Sequence, residues 1–152
     1  MSNEYILMLE KKIREYEEII SEMSAPIIPS IIPKTILVPI TGLLFSQRFE
    51  NIRTKVLNYI HQNDTEFAII DFTDITIEKI ESLGLSALGK ELQQLSDSLH
   101  LMGIKPYYVG LRPHLIKEIV SSGVELKAET YSTFQSALKH LMQKNDLVFA
   151  RQ

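Results

Sequence analysis

Apolar residues recur along the chain with two periodicities, one typical of helices and one typical of buried strands. Residues 3–23 place apolar side chains at alternating spacings of three and four residues, which predicts an amphipathic helix. Residues 24–34 (SAPIIPSIIPK) contain three prolines, which exclude a helix or a central strand, so we expect an extended segment at a sheet edge. The chain therefore divides into a dimerisation or linker helix, residues 1–23, and a domain, residues 24–152.

The apolar seam of the first helix has the heptad spacing of a coiled coil. Ile at the a positions with Leu at the first d position favours a parallel two-stranded coil. We therefore expect a homodimer, the alternative being a single amphipathic helix that packs on its own domain. The seam consists of Ile6, Ile13 and Ile20 at a, and Leu9, Tyr16 and Met23 at d.

Beyond residue 34, predicted strands alternate with predicted helices. The strands are Thr35–Ile40, Glu66–Phe72 and Lys105–Val109, and the helices are Gln47–His61, Ser82–Leu101, Pro113–Ser121 and Thr133–Gln143. This alternation implies right-handed crossovers between parallel strands. We expect an α/β fold, with a mixed, mostly parallel sheet of about four to five strands and about four helices mainly on one side. The coiled-coil-like N-terminal helix is additional.

Charge and composition narrow the choice of partners. The net charge is −3 and the lysines and arginines are scattered, so we expect no nucleic acid partner. No stretch approaches the roughly 20 apolar residues that span a bilayer, so we expect no membrane partner. The absence of cysteine fits a reducing compartment. We therefore expect a cytoplasmic protein.

Motifs that carry catalysis are missing from the sequence. There is neither a GxxxxGK[ST] phosphate loop nor a GxSxG nucleophile elbow, and the four histidines lack metal-ligand spacing. We therefore predict no catalytic residues, no cofactor and no metal site.

Two serines stand out because each opens a predicted helix. Ser46 precedes the helix that follows the first long strand, and Ser82 begins the leucine-striped helix. Each is a candidate N-cap, worth about 1 kcal/mol. The alternative is that both are phosphoacceptors, because the amino end of a helix favours a phosphate.

Residues 24–142 resemble the STAS domain of anti-sigma factor antagonists, and most of all the stressosome scaffold proteins of the RsbR type. The similar segments keep the order and spacing of that family. They are Ser24-Ala-Pro-Ile-Ile-Pro29, Val38-Pro-Ile-Thr-Gly42, Ile69-Ile-Asp-Phe-Thr73, Ile80-Glu-Ser-Leu-Gly-Leu85 and Val109-Gly-Leu-Arg-Pro113. The resemblance implies a STAS fold.

The resemblance also implies roles for individual residues. Ser82 matches the phosphoacceptor of the family and Ser46 matches a second acceptor of the RsbR branch, with Ser86 as an alternative acceptor. Glu81 stands where the family usually has Asp, and together with Gly84 and Arg112 it is expected to contact partners.

The implied function is phosphorylation-controlled protein binding in a partner-switching pathway of the general stress response. The implied partners are a serine/threonine switch kinase of the RsbT type and other STAS proteins, related to RsbS and RsbR. Two alternatives stay open: a stand-alone anti-sigma factor antagonist, and a STAS domain that binds a small ligand or nucleotide.

Overall fold

The computed structural model describes residues 2–23, 25–81 and 83–144, and their side chains except at 20–23. Within that part, an N-terminal helix and two strands precede a regular alternation of helices and strands. The helices are α1 (Asn3–Met23), α2 (Ser46–Gln62), α3 (Leu85–Leu101), α4 (Pro113–Ser121) and α5 (Phe134–Lys144), and the strands are β1 (Ile28–Pro29), β2 (Thr35–Pro39), β3 (Phe67–Asp71), β4 (Lys105–Val109) and β5 (Glu129–Tyr131). A 3₁₀ turn, Glu78–Ile80, precedes α3.

The strands form one sheet in the order β1-β2-β3-β4-β5. Strand β1 is antiparallel to β2, and the other neighbours are parallel. The prolines of the 24–34 segment explain why β1 is two residues long and lies at the edge, as the sequence predicted. The mixed, mostly parallel α/β sheet is confirmed, and β5 is a strand that the apolar pattern did not indicate.

Two apolar clusters cover the two faces of the sheet. Helices α2, α3 and α4 pack on one face, against alternate strand residues such as Val38, Ile70 and Tyr108. Helix α5 packs on the opposite face, where Ala137 and Leu141 contact the cluster that contains Ile69 and Tyr107. Because strand side chains alternate between faces, each central strand serves both clusters.

Three predicted helix starts are wrong, among them that of α5, which begins at Phe134 rather than at Thr133. Helix α3 begins at Leu85 rather than at Ser82, because Gly84 has a φ of +84° and cannot continue an α-helix from the preceding turn. Helix α2 begins at Ser46, one residue before the predicted start, with the extended residue Phe45 as its N-cap. The predicted strands are each within a residue of the observed bounds at either end.

The described part of the apolar seam of helix α1 is exposed. All described side chains from residue 2 to residue 19 are exposed, including Ile6, Leu9, Ile13 and Tyr16. Pairing with a second copy and the alternative of an amphipathic helix packed on its own domain both stay predictions. The division at residues 23 and 24 stays a prediction.

Candidate partner-binding edge of the sheet

The carboxyl ends of the parallel strands meet at one edge of the sheet. Pro39 is paired with Asp71, and Asp71 with Val109, so β2, β3 and β4 end side by side. Each strand is followed by a loop and then by a helix whose amino end lies at this edge. The N-cap residues are Phe45 of α2, Gly84 of α3 and Arg112 of α4, and none of them makes a side-chain cap hydrogen bond. We call this the carboxyl edge.

Two loops of the carboxyl edge are tied together by hydrogen bonds. The Gly42 amide donates to Asp74 Oδ2 at 3.2 Å, and the Leu44 amide donates to the Lys79 carbonyl at 2.8 Å. Lys79 Nζ lies 2.6 Å from Asp74 Oδ2. The hydrogen bond from Lys79 and the one from Gly42 hold the pKa of Asp74 below its ordinary value. The loop before α2 therefore cannot move without disturbing the loop that leads to residue 82.

The third loop, after β4, is joined to the end of β3. The Phe72 amide donates to the Val109 carbonyl at 2.8 Å, and the Gly110 amide donates to the Tyr131 carbonyl at 3.1 Å. Asp71 Oδ1 accepts from the Thr73 amide at 2.9 Å and from its hydroxyl at 2.5 Å, which closes the turn after β3. The three loops thus form one connected platform.

Ser46 lies on this platform as an exposed side chain in the first position of α2. The prediction that it is the N-cap is wrong, because Phe45 occupies that position with φ −131° and ψ 164°. As the first helical residue, Ser46 sits next to backbone N–H groups that have no partner within the helix. That position suits a negatively charged group.

The segment around Ser82 is described only in part. Ser82 itself lies outside the described residues. Its predicted roles as a helix cap or a phosphoacceptor therefore stay predictions. Glu81 is exposed after the 3₁₀ turn, Gly84 is the N-cap of α3, and Ser86 is exposed in the first turn of α3. Glu81, Gly84 and Ser86 therefore lie at the amino end of α3, on the carboxyl edge.

Arg112 is exposed as the N-cap of α4, with Pro113 in the first helical position. The fold brings this arginine to the same edge as Ser46, Glu81 and Ser86, although they are far apart in sequence. Two apolar side chains that the sequence pattern did not indicate also lie at this edge. Leu43 is 66% exposed and Ile77 is 57% exposed, each in one of the two loops tied by Asp74.

The predicted dimerisation seam is far more exposed than the core of the domain. The exposed fractions of Ile13 and Tyr16 are 55% and 61%. The side chains of Ile20 and Met23 lie outside the described residues, so the last turn of the predicted seam is not accounted for. The described part of the seam is an apolar stripe that stays exposed in the part of the chain that the structure describes.

The described residues contain neither a metal-binding cluster nor a membrane-spanning helix. No group of three or more histidine, aspartate or glutamate side chains there has an arrangement that holds a metal ion. None of the helices there is long and apolar enough to cross a membrane.

The architecture and its carboxyl edge agree with one known family. The STAS domain matches residues 22–137. The chain belongs to the STAS family. Members related to stressosome and antagonist proteins are binding and scaffold domains, so the prediction that this STAS domain is not an enzyme is confirmed at the level of the family.

Among characterised relatives, the RsbT co-antagonist protein RsbRA of Bacillus subtilis is 24% identical over 145 residues. The match covers 95% of this chain and 50% of that protein, so this STAS chain spans about half the length of its relative.

Two solved structures share the STAS fold. RsbS of Moorella thermoacetica superposes with a TM-score of 0.64 at 17% identity, covering 81% of this chain and 98% of that one. A chain of the stressosome, a signal integration and transduction hub, superposes with a TM-score of 0.62 at 16% identity, covering 80% of this chain and all of that one (100%). At these identities the likeness shows the fold.

Proposed function

We propose that this STAS protein is a phosphorylation-controlled binding module of a partner-switching stress pathway, in which it acts like an RsbR-type stressosome regulator. The observation that carries the proposal is the carboxyl edge. Three helix amino ends, the exposed serines Ser46 and Ser86, and the side chains of Glu81 and Arg112 meet there on one connected platform. A phosphate at such an edge is accommodated by the helix ends and changes the charge that a partner meets.

The proposed partners are a serine/threonine switch kinase of the RsbT type and other STAS proteins of the RsbS and RsbR types. The kinase has to reach the serines, so it docks on the carboxyl edge. Leu43 and Ile77 supply exposed apolar area for that docking, and Arg112 and Glu81 supply charged contacts around it. The match to RsbRA, a co-antagonist of RsbT by its name, supports this class of kinase.

The proposed self-association uses a different surface. The exposed seam of α1, with Ile6, Leu9, Ile13 and Tyr16, pairs with the same helix of a second copy. Apolar a and d positions without cover inside the chain are what a parallel coiled coil requires.

A nucleotide-binding role is less well supported. A shallow cavity of about 240 Å³ opens at the carboxyl edge between residues 39–41 and residues 71–74. Its charged groups are the carboxylates of Asp71 and Asp74, which repel a nucleotide phosphate. A thermal-shift series with nucleotides tests this alternative, because a specific ligand raises the apparent stability.

The function is tested by mixing the purified protein with an RsbS-type STAS protein and an RsbT-type kinase and measuring the size of the products. Large assemblies that contain all three proteins support the stressosome role, whereas a simple complex of kinase and this chain supports a stand-alone antagonist. The double substitution Leu43→Ser with Ile77→Ser is expected to weaken kinase binding at least about tenfold.

A matched control lies at the other end of the domain. Leu101 and Met102, at the carboxyl end of α3, are 89% and 38% exposed. They lie at the opposite end of that helix from Ser86. The double substitution Leu101→Ser with Met102→Ser is expected to leave kinase binding unchanged. Equal losses in the two double variants would contradict docking at the carboxyl edge.

A further inference from the structure

Arg48 is a charged residue in the interior of the domain, at the third position of α2. It is 2% exposed. Its Nη1 donates to the Leu43 carbonyl at 2.6 Å, and its Nε has no hydrogen-bond partner among the described residues. It takes part in none of the ion pairs found in that part of the chain. The guanidinium is thus a buried cation held by a neutral carbonyl.

Stability of the fold does not explain this arginine. Burial lowers the pKa of the guanidinium by desolvation, yet an arginine stays protonated at any physiological pH. A buried charge without a counter-charge is costly, and an apolar side chain of similar shape is often tolerated as well or better. The acid of the adjoining loop, Asp74, is already engaged by Lys79 and by the Gly42 amide. None of the ion pairs in the described part of the chain accounts for the arrangement.

The guanidinium lies at the amino end of α2, under the loop that leads into the helix. A Cβ placed on Gly42 would be 3.8 Å from Arg48 Nη1, and Leu43 receives its hydrogen bond. Phe45 provides no side-chain cap, so the unpaired N–H groups of the first turn add positive potential. Ser46, the first residue of that turn, is exposed and two positions from Arg48. A buried cation and an uncapped helix end are therefore found at the same end of α2 as Ser46.

We propose that Arg48 is the internal receptor for a phosphoryl group on Ser46, and that binding the phosphate draws the guanidinium away from the Leu43 carbonyl. The proposal rests on the proposed function in taking Ser46 as a phosphoacceptor. A guanidinium binds a phosphate through two parallel N–H bonds, stronger than the bond to a neutral carbonyl, so the phosphate wins the competition. The loop that carries Leu43 is released, and the apolar surface offered to the kinase changes.

The surroundings of Ser46 make the role of Arg48 measurable. Glu50 is exposed one helical turn after Ser46, so it faces a phosphate on Ser46 and repels it. With Arg48 in place, the dianionic phosphate is favoured and its second pKa falls. Without Arg48, only the positive potential of the helix end opposes the repulsion from Glu50. The second pKa of the phosphoserine therefore reports directly on the contact.

The experiment installs phosphoserine at position 46 synthetically and titrates it by phosphorus NMR. We expect its second pKa to be about one unit lower in the parent than in the Arg48→Met variant. The control is phosphoserine at position 86, in the first turn of α3 behind the uncapped Gly84. That site shares the helix-end effect but has no buried arginine, so Arg48→Met is expected to leave its pKa unchanged. Equal pKa values at position 46 with and without Arg48 would overturn the proposal, as would equal shifts at positions 46 and 86.

A second variant, Arg48→Lys, tests the proposal if Arg48→Met does not fold. Arg48→Lys keeps the charge but lacks the planar pair of donors. Phosphate at position 46 is expected to shift the amide resonances of Leu43 and Leu44 in the parent, and to shift them less in Arg48→Lys. Equal shifts in both proteins would count against the proposal. Because the phosphate is installed without a kinase, a kinase that ignores Ser46 would refute that part of the proposed function and leave the Arg48 result readable.

Discussion

Gly110 and Thr73 are in direct backbone contact at the carboxyl edge. A Cβ placed on Gly110 would lie 2.5 Å from the Thr73 backbone nitrogen and 2.7 Å from its Cα. Gly110 also has a φ of +77°, a conformation that side chains disfavour. The close approach of these residues lets the loop after β4 lie on the loop after β3, so Arg112 and the segment before residue 82 share one platform.

The first prediction follows from this contact. Gly110→Ala is expected to lower the free energy of unfolding by about 2–4 kcal/mol, because it combines backbone strain with overpacking. Gly103→Ala is the matched control, since Gly103 has the same φ of +77° but nothing within 4 Å of its Cβ position. It is expected to cost about 1 kcal/mol. Urea unfolding of both variants checks the difference, and equal costs would show that the Thr73 contact is unimportant.

The sequence predicts the fold well where the apolar pattern is continuous. It predicts element boundaries poorly where the backbone conformation of a single residue decides them. The apolar runs around Ile69 and Tyr107 were sufficient for the central strands, because both faces of the sheet are covered. The start of α3 was placed at Ser82, since the leucine stripe does not reveal that Gly84 adopts a positive φ. Strand β5 was not indicated, because its three residues carry no distinctive apolar run.

The second prediction concerns the ion pair between Asp74 and Lys79. The pKa of Asp74 is lowered in the folded protein, so its ionised form stabilises the fold above the ordinary value of 3.8. This contribution disappears as the pH falls below 3.8 and through the folded-state pKa. Lys79→Met is therefore expected to reduce the free energy of unfolding at pH 7, with a smaller effect near pH 3.

The pH comparison needs a lysine outside such a pair. Lys90 is exposed on α3 and belongs to none of the ion pairs in the described part of the chain. Lys90→Met is expected to have little effect at either pH. Urea titrations of the parent and both variants at the two pH values check this. A loss in Lys79→Met that is the same at both values would remove Asp74 as its cause.

The third prediction concerns association through α1. Ile13→Asp places a charge at an a position of the proposed coil, where burial against a second copy is costly. Sedimentation is expected to show a monomer for this variant and a dimer for the parent. Met8→Asp is the control, because Met8 is 46% exposed and falls at the c position, outside the seam. Loss of the dimer in both variants, or in neither, would argue against the heptad assignment.

The exposure of some site residues and the burial of others could not be predicted from the sequence, because both depend on tertiary packing. Ser46 and Arg112 are candidates from the sequence because they adjoin helix starts within segments that resemble the family. Leu43 and Ile77 gave no signal, since an apolar residue in a loop is buried in many proteins and only the packing shows that these are exposed. The sequence gives no sign that Arg48 is buried, because arginine is mostly exposed in folded proteins. Its burial depends on the way in which the 41–45 loop folds over it, which no local pattern encodes.

The last prediction makes Ser82 the main switch. Ser82→Ala is expected to abolish most kinase-dependent phosphate incorporation, and Ser86→Ala is the control that leaves it intact. Because Gly84 is the N-cap of α3, losing the Ser82 hydroxyl does not remove a cap from that helix. The stability change is expected to stay below about 1 kcal/mol, the worth of a helix cap.

The kinase reaction distinguishes the three serines by mass spectrometry of the modified protein. A phosphate on Ser82 lies close in sequence to the amino end of α3, whose unpaired N–H groups favour an anion, so the fold tolerates it. The same phosphate adds roughly −1.5 to −2 charges beside Glu81, which a partner covering the carboxyl edge has to accommodate. Ser82→Asp is therefore expected to weaken the complex formed by the unmodified surface. Phosphate found only on Ser46 or Ser86 after treatment with the cognate kinase would make Ser82 a structural residue and move the switch to the start of α2 or of α3.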